Sequence, residues 1–293
     1  MELPLSSALA ARLDWLPQAG STNDVLAQAA AGPSAAAWPD LSVVATDDQV
    51  AGRGRLGRSW VAPAGASLAV SLLVRPRGAS GEPVPVERFG MLSLLAGVAM
   101  ARAVAGVLGE ASGGVGSSVG AGSGAGAGAG ARVALKWPND VLIGEKKVCG
   151  ILAELLPGAD GVVIGTGVNL SLEAADLPTP TSTSLLLAGA RPEDAAADRV
   201  LSAYLREFTA LYAAWLSSDG DPEASGLLAA ATEVSATLGR AVRVELPGGV
   251  FRTGVARAID ATGRLVVDTG DGGSPAELVV SAGDVTHLRH DDS

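Results

Sequence analysis

The sequence predicts an α+β protein: a mixed β-sheet with packed helices, followed by a small β-barrel. Three observations predict it. Ser67 to Arg75 is apolar almost throughout and bounded by Gly65 and Pro76, the pattern of a central strand. Phe89 to Leu108 is a long apolar helix, interrupted by Gly97, Arg102 and Gly106, and so reads as a core helix and not a membrane span. From Gly239 onward the texture changes to short alternating strands with glycine-rich turns: AVRVEL, VFRTGVARAI, RLVVDT, ELVVSA and VTHL.

The other elements follow in order. Ser21 or Thr22 caps a helix from Asn23 to Ala31 that Gly32-Pro33 ends. Leu41 to Thr46 is a short β-branched strand. Gly113 to Ala131 has no charge and no large apolar anchor. Nothing there offsets the entropy of ordering it, so a disordered surface insertion is predicted. Val133 to Trp137 is a strand, Val141 to Ile143 and Lys147 to Leu156 form a hairpin about Gly144-Glu145, and Gly161 to Leu170 is a further strand. Ser171 to Ser184 reads as a loop. Pro192-Glu193-Asp194 is predicted to open a helix to about Leu216, with Val200, Tyr204, Phe208, Leu211 and Trp215 on its core face. Asp271-Gly272-Gly273 is a hairpin turn. His287 and His290 have no further ligand nearby and read as tail residues.

Composition narrows the function. A hydrophobic content of 48% with 18% charged residues describes a globular protein. The formal charge of −10 lacks the basic face of a nucleic-acid binder. Cys149 is the one cysteine, which excludes an internal disulfide and points to a reducing, cytoplasmic compartment. Its apolar strand makes it a buried, inert thiol. The N-terminus has no basic start followed by a long apolar run, so neither a signal peptide nor an anchor is expected.

Against that acidic background, Gly52 to Arg58 packs Arg53, Arg55 and Arg58 between Gly52, Gly54 and Gly57. Arginine grips phosphate or carboxylate in a fixed fork, and glycine lets backbone approach an anion closely. The segment matches G-x-G-x-x-G formally, but Ser59-Trp60-Val61-Ala62-Pro63 cannot open a helix after it. It reads as an anion-closing loop and not a Rossmann turn.

Four segments in this order resemble the biotin–protein ligases: Ser21-Thr22-Asn23, Gln49 with Gly52 to Trp60, Lys136 to Asp140 continuing through Lys146 to Leu152, and Gly165 to Asn169. The resemblance covers roughly Leu13 to Arg289 and includes the C-terminal β-domain. It implies a synthetase-like fold of the biotin–lipoate ligase type over residues 1–236, with 113–131 inserted, and an SH3-like barrel over 237–293. It implies that biotin and ATP, with Mg²⁺, give biotinyl-5′-AMP, and that biotin then passes to a lysine of a biotin carboxyl carrier domain. By resemblance Ser21, Thr22, Asn23, Gln49, Arg53, Gly54, Arg55 and Lys136 contact biotin. Arg53, Arg55, Arg58, Trp60, Asn139 and Asn169 face the nucleotide, and Lys136, Arg55 and Arg58 serve catalysis. No protein-bound metal is implied. Trp60 and Trp137 fit either a place beside the ligand or the core; Asn139, Asp140 and Asn169 fit either the site or a turn. Val50 and Thr166 depart from the family pattern. The first family motif arrives at residue 21, which leaves no room for the DNA-binding domain of some members, so no DNA partner is expected. No membrane partner is expected either, and the chain is taken as a monomer or weak homodimer. Lipoate or octanoate ligases and a non-catalytic biotin sensor are the alternatives.

Overall fold

The computed structural model describes residues 1–111, 132–246, 249–270, 276–281 and 284–288. The expected insertion at 113–131, the turn at 271–273 and His290 lie outside them.

A short helix α1 (Pro4–Ser7) leads into strand β1 (Arg12–Trp15), helix α2 (Thr22–Ala31) and strand β2 (Ser42–Thr46). A two-residue pair, β3 (Gly52–Arg53) and β4 (Ser59–Trp60), precedes β5 (Ser67–Val74) and the long helix α3 (Gly90–Ala111). Strands β6 (Val133–Lys136), β7 (Asp140–Ile143), β8 (Lys146–Leu155) and β9 (Val162–Asn169) follow, then helices α4 (Ala197–Ser217) and α5 (Leu227–Glu233). The chain finishes in β10 (Ala241–Leu246), β11 (Val250–Ile259), β12 (Leu265–Asp268), β13 (Glu277–Val280) and β14 (Asp284–His287).

The main sheet has seven strands in the order β1-β2-β5-β9-β8-β7-β6, with β1 and β2 parallel and the other neighbours antiparallel, so it is mixed as predicted. Every residue of β5 is buried, because helices cover both faces. Leu68, Val70, Leu72 and Val74 pack in one core with α3 and α4, while Leu73 joins Val44, Val163, Leu26 and Ala30 under α2. A strand covered on both sides needs apolar residues at both parities, which is why Ser67 to Arg75 shows no alternation. Residues Val86–Gly109 have the length and hydropathy of a membrane span, but 83% of their most apolar 18-residue stretch is buried inside the protein, as core.

Helix α4 corrects the expected start. It begins at Ala197, not at Pro192, because Asp194 is buried and spends its carboxylate on Arg191 (2.6 Å) and Arg199 (3.6 Å) instead of capping a helix. Asp198 in its first turn accepts from the Leu5 and Ser6 backbone N–H groups and the Ser6 hydroxyl, which fastens α1. Its aromatic face is a ladder of Tyr204, Phe208, Tyr212 and Trp215, with ring centroids 5.7–6.3 Å apart. Leu211 is only partly buried; Tyr212 holds the core position.

The C-terminal strands form a five-stranded antiparallel sheet in the order β13-β12-β11-β10-β14. The segment that leads into it after α5 runs along β6, where Leu135 exchanges backbone hydrogen bonds with Val234 and Ala236 at 2.8 Å each. Trp137 is the bolt of this junction. It is buried, its backbone N–H donates to Thr237 Oγ1 (3.0 Å) and its indole N–H donates to the Gly263 carbonyl (2.9 Å). Of the two places open to Trp137 in the sequence, it occupies the core.

Candidate active site

Strand β2 ends at Thr46 and delivers Gln49 and then the β3–β4 hairpin, in which Gly52 pairs with Trp60 and Arg53 with Ser59. The arginine segment is therefore a hairpin tip, closed by the Gly54 N–H on the Arg58 carbonyl (2.6 Å). It bends over a cavity of about 400 Å³ whose floor is β5, β8 and β9. Two glycines of β9 keep that floor low. A Cβ on Gly167 would strike the Trp60 indole, and one on Gly165 would strike the Asn23 amide.

One end of the cavity is lined by neutral polar groups: Ser21, Thr22, Asn23 and Gln49. Ser21 caps α2, accepting from the Asp24 N–H at 3.4 Å. Gln49 Oε1 accepts from the Thr22 N–H (2.9 Å) and hydroxyl (3.1 Å). The Ser71 hydroxyl lies 2.8 Å from Thr22 Oγ1 and 2.6 Å from Asn23 Oδ1. Asn23 Nδ2 donates to Glu154 (2.6 Å) and to the Leu152 carbonyl (3.3 Å). The Asn23 amide is thus held by protein on both sides.

The other end carries charge, with Lys136, Arg55, Arg58, Lys147 and Asp140, and the neutral amide of Asn139 among them. Lys136 closes β6 and, among the described residues, has no carboxylate within ion-pair distance, since neighbouring Asp140 is held by Lys147 at 2.6 Å. Arg55 Nη1 donates to Asn139 Oδ1 (3.1 Å), and Asn139 Nδ2 donates to the Ile151 carbonyl (2.8 Å). Trp60 lies between the two ends over Gly150 and Gly167, with Lys147 Nζ 5.5 Å from its ring centroid; its indole nitrogen is buried with no acceptor among the described residues. Asn169 is buried and donates to the Thr183 carbonyl at 2.8 Å.

Arg53 and Gly54 also line the cavity, but the Arg53 guanidinium turns outward. It forks onto Asp24 at 2.5 and 2.7 Å and reaches Glu154 at 3.2 Å. The Asp24 hydrogen bond is the main reason that the Arg53 pKa is raised, and the same bond lowers that of Asp24. Cys149 is fully buried, and burial pushes its thiol well above the ordinary range.

The residues given a ligand-binding or catalytic role in the sequence thus line one cavity, Trp137 stays in the core, and several other residues join the lining. Lys147 belongs to a quoted motif but carried no signal of its own, because its partners Asp140 and Trp60 are set by the fold. Thr179, Thr181 and Ser182 form a hydroxyl cluster in the segment read simply as a loop, brought in by backbone bonds between Lys147 and residues Thr181 and Thr183. Val285 and Thr286 reach the cavity from β14. His287 corrects the tail reading: it pairs with Val242 in the sheet and places Nε2 3.1 Å from Thr237 Oγ1. Its pKa is lowered to about 4, first by burial and then by the charge of Lys136.

Comparison with known proteins gives the family. Residues 17–169 match the Biotin/lipoate A/B protein ligase family, and residues 237–288 match the Biotin protein ligase C terminal domain. The chain is 40% identical over 279 residues to a biotin–[acetyl-CoA-carboxylase] ligase from Mycobacterium tuberculosis, covering 95% of this chain and 90% of that one. A biotin protein ligase from Aquifex aeolicus, solved with biotin and ATP, shares the fold with a TM-score of 0.65 at 22% identity, over 95% of this chain and all of that one. A biotin protein ligase from Leishmania major, solved with biotin, superposes with a TM-score of 0.57 at 25% identity, over 95% of this chain and 98% of that one. The chain belongs to the biotin protein ligases of the biotin/lipoate A/B protein ligase family.

Proposed function

We propose that this protein activates biotin with ATP as biotinyl-5′-AMP and transfers it to one lysine of the biotin carboxyl carrier domain of a carboxylase. The observation that carries the reading is the single cavity with a neutral amide–hydroxyl end and a cationic end. Biotin is an apolar bicycle with a ureido group at one end and a carboxylate on a chain at the other. Ser21, Thr22, Asn23 and Gln49 suit the ureido end, and Trp60 with Ala69 and Val70 supplies apolar wall.

In the first step a biotin carboxylate oxygen attacks the α-phosphorus of ATP, and the bond to pyrophosphate breaks. Two anions must approach, so cations have to neutralise both. Lys136, not held by a carboxylate among the described residues, is the cation best placed to follow charge onto the reacting oxygens, with Arg55 and Arg58 on the phosphates. Trp60 and Asn169 border the nucleotide, and Asn139 holds Arg55. Arg53 serves by pinning the hairpin to α2. Mg²⁺ would enter with the ATP phosphates. In the second step the carrier lysine amine attacks the acyl carbon and AMP leaves.

A cytoplasmic site of action fits the single reduced cysteine. The match to the ligase C-terminal domain favours biotin over lipoate or octanoate. The test is incubation of the protein with ATP, biotin and a purified carrier domain. The expected result is one added biotinyl mass on the acceptor lysine; no mass gain on a folded carrier contradicts the reading.

A further inference from the structure

The peptide that joins Lys136 to Trp137 is held at both ends. Its carbonyl accepts from the Asn139 N–H at 3.1 Å, within the turn that follows β6. Its N–H donates to Thr237 Oγ1 at 3.0 Å, a residue of the segment that leads into the C-terminal sheet. Thr237 is fully buried, so its own hydroxyl hydrogen needs an acceptor. His287 Nε2 on β14 lies 3.1 Å away and is the acceptor the described structure offers. That assignment fixes the imidazole as neutral, with its proton on Nδ1. The ring also stands close enough to Lys136 to feel its charge.

We propose that Thr237 and His287 are positioning residues for Lys136: the chain from His287 Nε2 through the Thr237 hydroxyl to the Trp137 N–H fixes the peptide that carries Lys136 into the cavity. The C-terminal sheet thereby sets the direction of the ammonium as well as lending Val285 and Thr286 to the wall. This rests on reading Lys136 as the cation of the adenylation step. A misdirected cation weakens an interaction that matters most in the transition state, so the loss falls on kcat and leaves biotin binding nearly intact.

The test is steady-state biotin-dependent pyrophosphate exchange with the full chain. Thr237→Val keeps the side-chain shape and removes the acceptor; kcat is expected to fall about ten-fold, with the biotin KM within about two-fold. Thr237→Ser restores the hydroxyl and is expected to recover most of the rate. His287→Gln keeps an acceptor near Nε2 and should hold the rate, while His287→Leu should match Thr237→Val. The double variant Thr237→Val/His287→Leu should lose no more than either alone, since both cut one chain. A folded Thr237→Val enzyme with normal kcat, a change confined to KM, or no recovery with serine would overturn the assignment. If Thr237→Val does not fold, the His287→Leu and His287→Gln pair on the edge strand decides by the same criteria. Lys136→Ala is measured alongside: near-normal exchange there overturns the reading of Lys136 itself, whereas its loss beside a normal Thr237→Val rate overturns the positioning role alone.

Discussion

His287 is neutral because of where it sits. Burial and the charges of Lys136 on β6 and Arg240 ahead of β10 disfavour the imidazolium, and Glu145 in the β7–β8 turn, 3.3 Å from Arg240, offsets them in part. The folded pKa of about 4 lies below the ordinary value of 6.5. Between those values the unfolded chain binds a proton that the folded chain refuses, so stability rises with pH there. The contribution is present in full above the unfolded pKa and is lost as pH falls towards the folded one. One titrating site caps the slope at about 1.4 kcal/mol per pH unit, since the two states differ by at most one proton. Urea unfolding of wild type and His287→Gln at about pH 7 and pH 4.5 checks this, because the variant cancels every other titrating group. Wild type is expected to lose ground on the variant at the lower pH; a constant difference contradicts a depressed histidine.

The β3–β4 hairpin is held to the rest of the protein by its side chains, while Leu56 at its tip stands exposed. Arg53 clasps Asp24 on α2 and Glu154 on β8, Arg55 reaches Asn139, and Trp60 lies flush on Gly167. Across the tip the Gly54 N–H donates to the Arg58 carbonyl and the Arg58 N–H to the Arg55 carbonyl, and Leu56 there is 69% exposed with a φ of 57°. A branched side chain in the left-handed region costs about 1 kcal/mol or more, a cost that a ligand closing the tip can offset. Backbone amides of residues 52–57 are therefore expected to exchange quickly in the free protein and slowly with biotin and ATP bound, with a raised melting temperature. Hydrogen exchange by mass spectrometry reads this directly. Equal protection in the two states sinks the closing hairpin. The arginines and glycines of this element were legible in the sequence; the division of labour was not, because the Arg53 partners come from elements distant in the chain.

At the scale of the molecule, the mixed sheet was legible wherever local pattern carried the burial. The unbroken run of β5 told that both faces are covered, and the alternation after Gly239 told of a second sheet. What escaped was set by contacts across the chain. β1 is four half-buried residues with no run of its own, and α5 is seven residues without a side-chain cap. The start of α4 was masked because Asp194 looks like a cap and acts as a buried ion partner. Trp137 and His287 took their meaning from the docking of the C-terminal sheet on β6, which places Val285 and Thr286 beside a cationic end supplied by the main domain. The central claim is that this joined cavity adenylates biotin. Exchange of labelled pyrophosphate into ATP by the intact protein tests it most directly, run with biotin, with lipoate or octanoate, and with no acid. Exchange that needs biotin, and that falls by roughly two to three orders of magnitude in folded Lys136→Ala with only partial recovery in Lys136→Arg, is the expected result. Biotin binding without exchange, or exchange driven equally well by lipoate or octanoate, would contradict it.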